Sequence, residues 1–249
     1  MNKSQFKSIL DESFNDPTTI QGIYNWCDRW CERCNRTAQC TVYKASAHLP
    51  EDKPEDFFKL LSEILEATME MLIEYAETNG LDYESLKDTD FQDEYERNQN
   101  LVRNDAGVII AKQYGKQVKQ WFESLQTKDA TGMKIRLKDP IMKDCLEVIQ
   151  WYQYFLEIKM ARALMSQKDE HELEFEPYYS LGTAKLLLVS IERNIGAWGY
   201  IYQKFREDED IILDMLVNLQ RLYKLIEQLF PSARAFIRPG LDETDQDIN

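Results

Sequence analysis

Apolar residues recur at three- and four-residue spacing over long stretches of this chain, the pattern of helices with one buried face. Residues 4 to 14 read as a short amphipathic helix with Phe6, Ile9, Leu10 and Phe14 on one side. Asn15-Asp16-Pro17 then marks a new start, with Asp16 as N-cap and Pro17 at the first helical position, where its missing N–H costs nothing. The helix so opened is expected over about 17–35, and further helices over about 54–79, 90–127, 140–167, 178–206 and 208–230. Asn79-Gly80 supplies a left-handed stop, Asp139 caps the helix that Pro140 opens, and Pro231 ends the last one. Gly107 and Gly115 mark close packing or a bend inside the 90–127 helix. Strand-like alternation is confined to residues 134–137.

The expected fold is therefore all-α: an antiparallel helix bundle with an N-terminal cysteine-rich metal-binding helix docked on it. Residues 1–53 hold the N-terminal helices and the cysteines, 54–230 the bundle, and 231–249 an extended, loosely attached tail, the whole forming one compact unit. Glycine (9) and proline (7) are scarce over 249 residues, which agrees with long helices and few turns.

Charge narrows the partners. A formal charge of −14 repels phosphate backbones and anionic membrane surfaces, so a protein partner is expected and nucleic acid and membrane are not. The lysines between residues 114 and 138 are spaced along a helix and read as a solvated face. No apolar run reaches the roughly 18 residues of a membrane span, and the polar N-terminus has no secretory core, so a cytoplasmic location is expected.

That compartment keeps thiols reduced, which turns attention to the cysteines as ligands. Cys27, Cys31, Cys34 and Cys40 follow the spacing C-x3-C-x2-C-x5-C. At ~100° per residue the first three lie within ~60° on one helical face, and a helix end at Asn35-Arg36-Thr37 lets the chain return Cys40 to the same point. Four thiolates suit either a [4Fe–4S] cluster or tetrahedral zinc. The cluster is preferred, because structural zinc uses C-x2-C knuckles in pairs and only one such knuckle is present. Tyr24, Trp26 and Trp30 flank the row as a shield against water, while Arg29, Arg33 and Arg36 offset thiolate charge. Cys145 stands alone on an apolar face and reads as a buried, inert thiol.

Parts of the motif resemble known families. The C-x2-C-x5-C half is similar to the cluster motif of endonuclease-three-type DNA glycosylases, and C-x3-C-x2-C is similar to the radical S-adenosylmethionine signature. The first family needs basic character and a GPG hairpin, the second a (β/α) barrel, and the chain shows none of these. The string CDRWCERC with Cys40-Thr41-Val42-Tyr43, EVIQWYQ (147–153) and AKLLLVSIERNIGAWG (184–199) more closely resembles an uncharacterised bacterial all-helical family, which implies no activity.

Charged residues on apolar helix faces form a second candidate. Asp105, Lys159, Lys185 and Glu192 each have largely apolar neighbours at i±3 and i±4. Charges there are costly unless paired, so they are candidates for an interior polar network around a small-anion or proton-handling pocket. A di-iron bundle is excluded, because it needs Glu-x-x-His motifs and the only histidines, His48 and His171, lack that context. Three functions follow: an iron–sulfur protein with a redox, electron-transfer or sensing role, a structural-metal interaction module, or an enzyme using the charged pocket.

Overall fold

The computed structural model describes residues 15–46, 54–80, 89–128, 138–172 and 178–242, with positions 4, 6–8 and 12. Most of the expected 4–14 helix, the 134–137 segment and residues 243–249 lie outside the described residues. The protein is all-α. In chain order its helices are α1 (Thr41–Ser46), α2 (Pro54–Thr78), α3 (Thr89–Arg103), α4 (Ala106–Lys128), α5 (Pro140–Tyr152), α6 (Phe155–Glu172), α7 (Tyr178–Lys204) and α8 (Glu209–Leu229). Short 3₁₀ turns occur at Ile23–Asn25, Cys31–Arg33, Thr37–Gln39, Arg206–Asp208 and Ala233–Ala235. Among the described residues no helix is long and apolar enough to cross a membrane.

The chain divides into two compact units. One comprises Met1–Glu96 with Ile237–Asn249, the other Arg97–Phe236. These boundaries differ from the expected breaks after residues 53 and 230. Residues 237–242 belong with the N-terminal unit and pack on its cysteine loop, as described below.

In the 97–236 unit, α7 is the central element and packs on α5, α6 and α8, while α4 packs on α6 and α8. Its core is a continuous apolar cluster in which Trp121 meets Trp198 edge-on at 4.9 Å and Phe205 at 5.4 Å. Edge-to-face contact sets the positive rim of one ring on the negative face of another, adding specificity to the burial itself.

Two expected helices are each broken in two. The 90–127 helix stops at Arg103, and α4 restarts because Asp105 caps it, its Oδ1 accepting from the Gly107 amide at 2.7 Å. The 140–167 helix stops at Tyr152, where the Gln153 side chain donates to the Gly115 carbonyl on α4 at 3.0 Å. A Cβ at Gly115 would lie 2.7 Å from the Gln153 carbonyl oxygen, so α4 approaches this break more closely than any other residue permits. Asp139 caps α5 as expected, accepting from Ile141 and Met142 at 3.0 and 3.4 Å, with Pro140 in the first turn. Tyr200 on α7 donates to the same carboxylate at 2.6 Å and, with those amides, holds Asp139 below the usual carboxylate range.

In the N-terminal unit, α2 ends at Asn79-Gly80 with Gly80 at φ +67°, the left-handed stop its sequence predicts. Glu66, Glu70, Glu74 and Glu77 line an exposed acidic stripe on it.

Candidate metal centre

The cysteines do not lie along a helix, contrary to the expected element over 17–35. Residues 16–40 form a turn at Asp16-Pro17 and then three separate 3₁₀ turns. Local chemistry explains this. Asp16 folds into its own turn, accepting at Oδ1 from the Thr18 amide and hydroxyl at 2.8 and 2.6 Å. Gly22 sits at φ +74°, Arg29 at φ +59°, and the Asp28 side chain accepts from the Trp30 amide at 3.1 Å. Short polar side chains that bond the nearby backbone compete with helix, and two left-handed residues prevent its propagation.

The excursion is closed at its base. The Ile20 amide donates to the Gln39 carbonyl at 2.9 Å, and Lys44 on α1 reaches Asp16 at 2.5 Å. The Lys44 bond, followed by those from Thr18, holds the Asp16 carboxyl well below its ordinary range. All four cysteines lie within the span that the Asp16–Lys44 tie closes, with Cys40 one residue beyond the Ile20–Gln39 tie.

Within the loop, Cys27, Cys31, Cys34 and Cys40 line one recess. Its other walls include Ile23, Tyr24, Trp30, Thr37, Tyr43 and Leu241, and it is partly open to solvent. The chain brings the four thiols to this recess by wrapping and not as the expected helical row. Among the described residues, no three or more His, Cys, Asp or Glu side chains are disposed to hold a single metal ion.

Backbone amides face two of the four sulfurs. The Arg36 amide donates to Cys34 Sγ at 3.3 Å, and the left-handed turn at Arg29 directs its amide to Cys27. A non-glycine residue at positive φ is strained by roughly 1–3 kcal/mol and persists only where its surroundings impose it. Burial pushes the Cys27 thiol up from its ordinary value, and the Arg29 amide and guanidinium act in the opposite direction. Cys31 is raised first by burial and then by Cys27, Cys40 and Cys34, so the four groups sense one another's charge. Without a cation, neighbouring thiols resist ionising together.

The expected flanking residues are present. Trp26 is 2% exposed, and Tyr24 and Trp30 form walls of the recess. The Arg33 guanidinium stacks 3.9 Å from the Trp30 ring centre, that of Arg29 stands 5.8 Å from the Tyr24 ring, and Arg36 donates to Gln39 at 3.1 Å. Thr41, directly after Cys40, is 2% exposed, and its hydroxyl has no hydrogen-bond partner among the described residues.

Sequence reasoning missed the wall contributed by the far end of the chain. Arg238 is 8% exposed and donates to the Trp26 carbonyl at 3.5 Å, and Leu241 lines the recess itself. The segment expected to be loosely attached is therefore partly buried here. Pro239-Gly240 was the available signal, a turn dipeptide inside a stretch read as extended.

The second candidate, the interior charge network, is corrected. Glu192 is exposed, and Asp105, Lys159 and Lys185 are only half-buried. Asp105 is the cap of α4, Lys185 donates to the Arg234 carbonyl at 2.7 Å, Glu192 accepts from the Tyr223 hydroxyl at 2.8 Å, and Lys159 stands 5.4 Å from the Phe155 ring centre. Side chains of this length reach water or a rim partner from the edge of an apolar face, which periodicity alone does not reveal. The charges that are enclosed in this unit are others: Asp208 accepts from Trp121 Nε1 at 2.9 Å, and Glu170 accepts from the Tyr179 and Ser180 amides at 2.7 and 3.0 Å. The Tyr114 hydroxyl donates to Asn194 Oδ1 at 2.7 Å and accepts from Trp198 Nε1 at 2.9 Å, all three residues being 0% exposed. Cys145 is buried with its thiol pushed up by burial, as an inert core residue should be.

Comparison of the chain with protein-family models, with curated proteins and with solved structures finds no match.

Proposed function

We propose that this chain is an iron–sulfur protein in which Cys27, Cys31, Cys34 and Cys40 hold a [4Fe–4S] cluster for an electron-transfer or sensing role. The reading rests on one observation: four thiols, otherwise unremarkable half-buried side chains, share the wall of a single recess. Tetrahedral zinc draws four sulfurs to about 2.3 Å from one point and needs no recess. Structural zinc also uses C-x2-C knuckles in pairs, and Cys31 and Cys34 form the one such knuckle here, which favours the cluster.

When bound, such a cluster supplies a one-electron couple. The protein's own residues do the rest. Four thiol ligands fill every cluster corner, which favours electron exchange over substrate binding. The Arg29 and Arg36 amides share the charge of Cys27 and Cys34, and hydrogen bonds to cluster sulfur raise a reduction potential. Tyr24, Trp30, Ile23 and Leu241 give the recess largely apolar walls. A cytoplasmic location fits ligands that must stay reduced, and the acidic surface, −14 overall, fits docking of a protein partner.

The deciding experiment is anaerobic purification followed by iron, acid-labile sulfide and zinc analysis. About four irons and four sulfides per chain are expected, with a brown colour that dithionite bleaches reversibly. Cys31→Ser should lose the metal while keeping most of the helical circular dichroism, because α4 to α8 have their own core. A colourless protein with one zinc and no sulfide would replace this reading with a structural-metal module.

A further inference from the structure

The cysteine recess is not closed by its own loop. Its remaining wall comes from residues 237–242, and Arg238 reaches Trp26 from 212 positions away. This short segment is built as a rigid turn. The Leu241 and Asp242 amides both donate to the Arg238 carbonyl, at 3.0 and 3.1 Å. The Asp242 carboxylate accepts from the Arg238 amide at 3.0 Å and grips its guanidinium at 2.9 and 2.6 Å. That guanidinium is buried and still reaches the Trp26 carbonyl, one residue before Cys27.

Gly240 fits only as glycine. Its φ is +69°, and an added Cβ would lie 2.6 Å from Ile20 and 3.2 Å from Ile23. The turn is thus pressed onto the base of the cysteine loop, and Leu241 is delivered to the recess beside Ile23 and Tyr24. Two features would be wasteful if the segment were a mere tail: a charged pair sunk at a desolvation cost, and a glycine required twice over.

We propose that residues 237–242 are a strap that seals the metal recess, so that metal occupancy and strap docking stabilise each other. The inference rests on the metal-centre reading above. Leu241 lines the recess, so a group held by the cysteines would add contact atoms to it on that side. Linkage makes the effect reciprocal: whatever factor the strap adds to metal retention, the metal adds to strap docking. Loss of the metal would then free the C-terminal segment, which makes the strap the element through which the rest of a cell could read the state of the site.

The test uses the full chain. Hydrogen exchange is followed in peptides covering 237–242 and 20–45, in metal-free protein and after reconstitution with ferrous iron and sulfide, and separately with Zn²⁺. Loading with iron and sulfide should slow exchange in 237–242 by about fivefold or more, the lower end of ordinary coupling between sites. Leu241→Ala and Gly240→Ala, neither a ligand, should speed the loss of cluster absorption in air by a similar factor, with helical circular dichroism unchanged. Protection of 20–45 without any change in 237–242 would overturn the strap and leave the metal centre standing. Equal protection of the strap by Zn²⁺ in a chain that takes up no iron and sulfide would keep the strap and overturn the cluster. A chain that takes up neither metal would overturn both.

Discussion

Replacing Tyr114 by Phe removes a single oxygen from the centre of the helical core, and the structure says what that costs. The hydroxyl both donates to Asn194 Oδ1 and accepts from Trp198 Nε1. Asn194 is held in place by its side-chain N–H, which donates to the Ser190 carbonyl at 2.9 Å. Burial also holds the Tyr114 phenol far above its ordinary range, a sign of how dry this spot is. The variant therefore leaves one N–H and one carbonyl oxygen buried and unpaired. Each such group costs roughly 1–3 kcal/mol, and Phe regains part of the sum because it has no hydroxyl to desolvate. A net loss of about 2–4 kcal/mol is expected. At a urea m-value near 2 kcal/mol/M this lowers the unfolding midpoint by about 1–2 M, read by tryptophan fluorescence. The double variant with Asn194→Leu should cost less than the two single variants together, because the second change removes a group the first has orphaned. A single-variant loss under about 0.5 kcal/mol, the range of a neutral surface change, would refute the claim that this network is dry and mutually dependent.

Other outcomes follow from the same geometry. Gly115→Ala should lower the thermal midpoint by the equivalent of about 1–3 kcal/mol, although alanine is the better helix former, since its Cβ would meet a backbone oxygen at 2.7 Å; a stabilised variant would show that α4 can move away from Gln153. Glu192→Gln should change stability by less than about 0.5 kcal/mol, because the residue is exposed and an amide oxygen still accepts from Tyr223; a loss above about 2 kcal/mol would restore the interior network. Burial raises the Cys27 and Cys31 thiols above their ordinary value of 9.0, so both are protonated at neutral pH and must shed a proton to bind metal. Zn²⁺ affinity, measured by chelator competition, should therefore rise by at least about a hundredfold per pH unit below pH ~9, one decade for each of these two protons, and a slope under two protons would contradict their protonated state. The sign for stability is the reverse: with folded-state values above unfolded ones, the metal-free unit keeps this contribution below pH ~9 and loses it as pH climbs further.

The chain order of helices was legible because helix formation is local. Apolar positions at three- and four-residue spacing, Asp139 ahead of Pro140, and Asn79-Gly80 each act over a few residues, and each appears where its chemistry predicts. The four cysteines could be grouped for the same reason, since they fall close together between Asp16 and Lys44. Their mode of assembly was not legible. A helical row and a wrapped loop give the same spacing, and the choice fell to φ at Gly22 and Arg29 and to the Asp28 side chain bonding its own backbone. The breaks at Asp105 and Gln153 escaped notice too, because a continuous apolar period runs through both. What ends the second helix is a bond to Gly115 on another helix.

Periodicity alone therefore establishes an all-helical protein with one concentrated set of thiols. Tertiary structure decided which charges are enclosed. Asp105, Lys185 and Glu192 sit on apolar faces yet find partners at the rim, while Asp208, Glu170 and the neutral Tyr114, Asn194 and Trp198 are enclosed with theirs. It also decided what seals the cysteine recess. Arg238 and Leu241 arrive there from the opposite end of the chain. No local pattern encodes a contact between segments separated by the whole helical core, because the energy that selects it, burial of Leu241 and pairing of Arg238 against Trp26, exists only once both segments are in place.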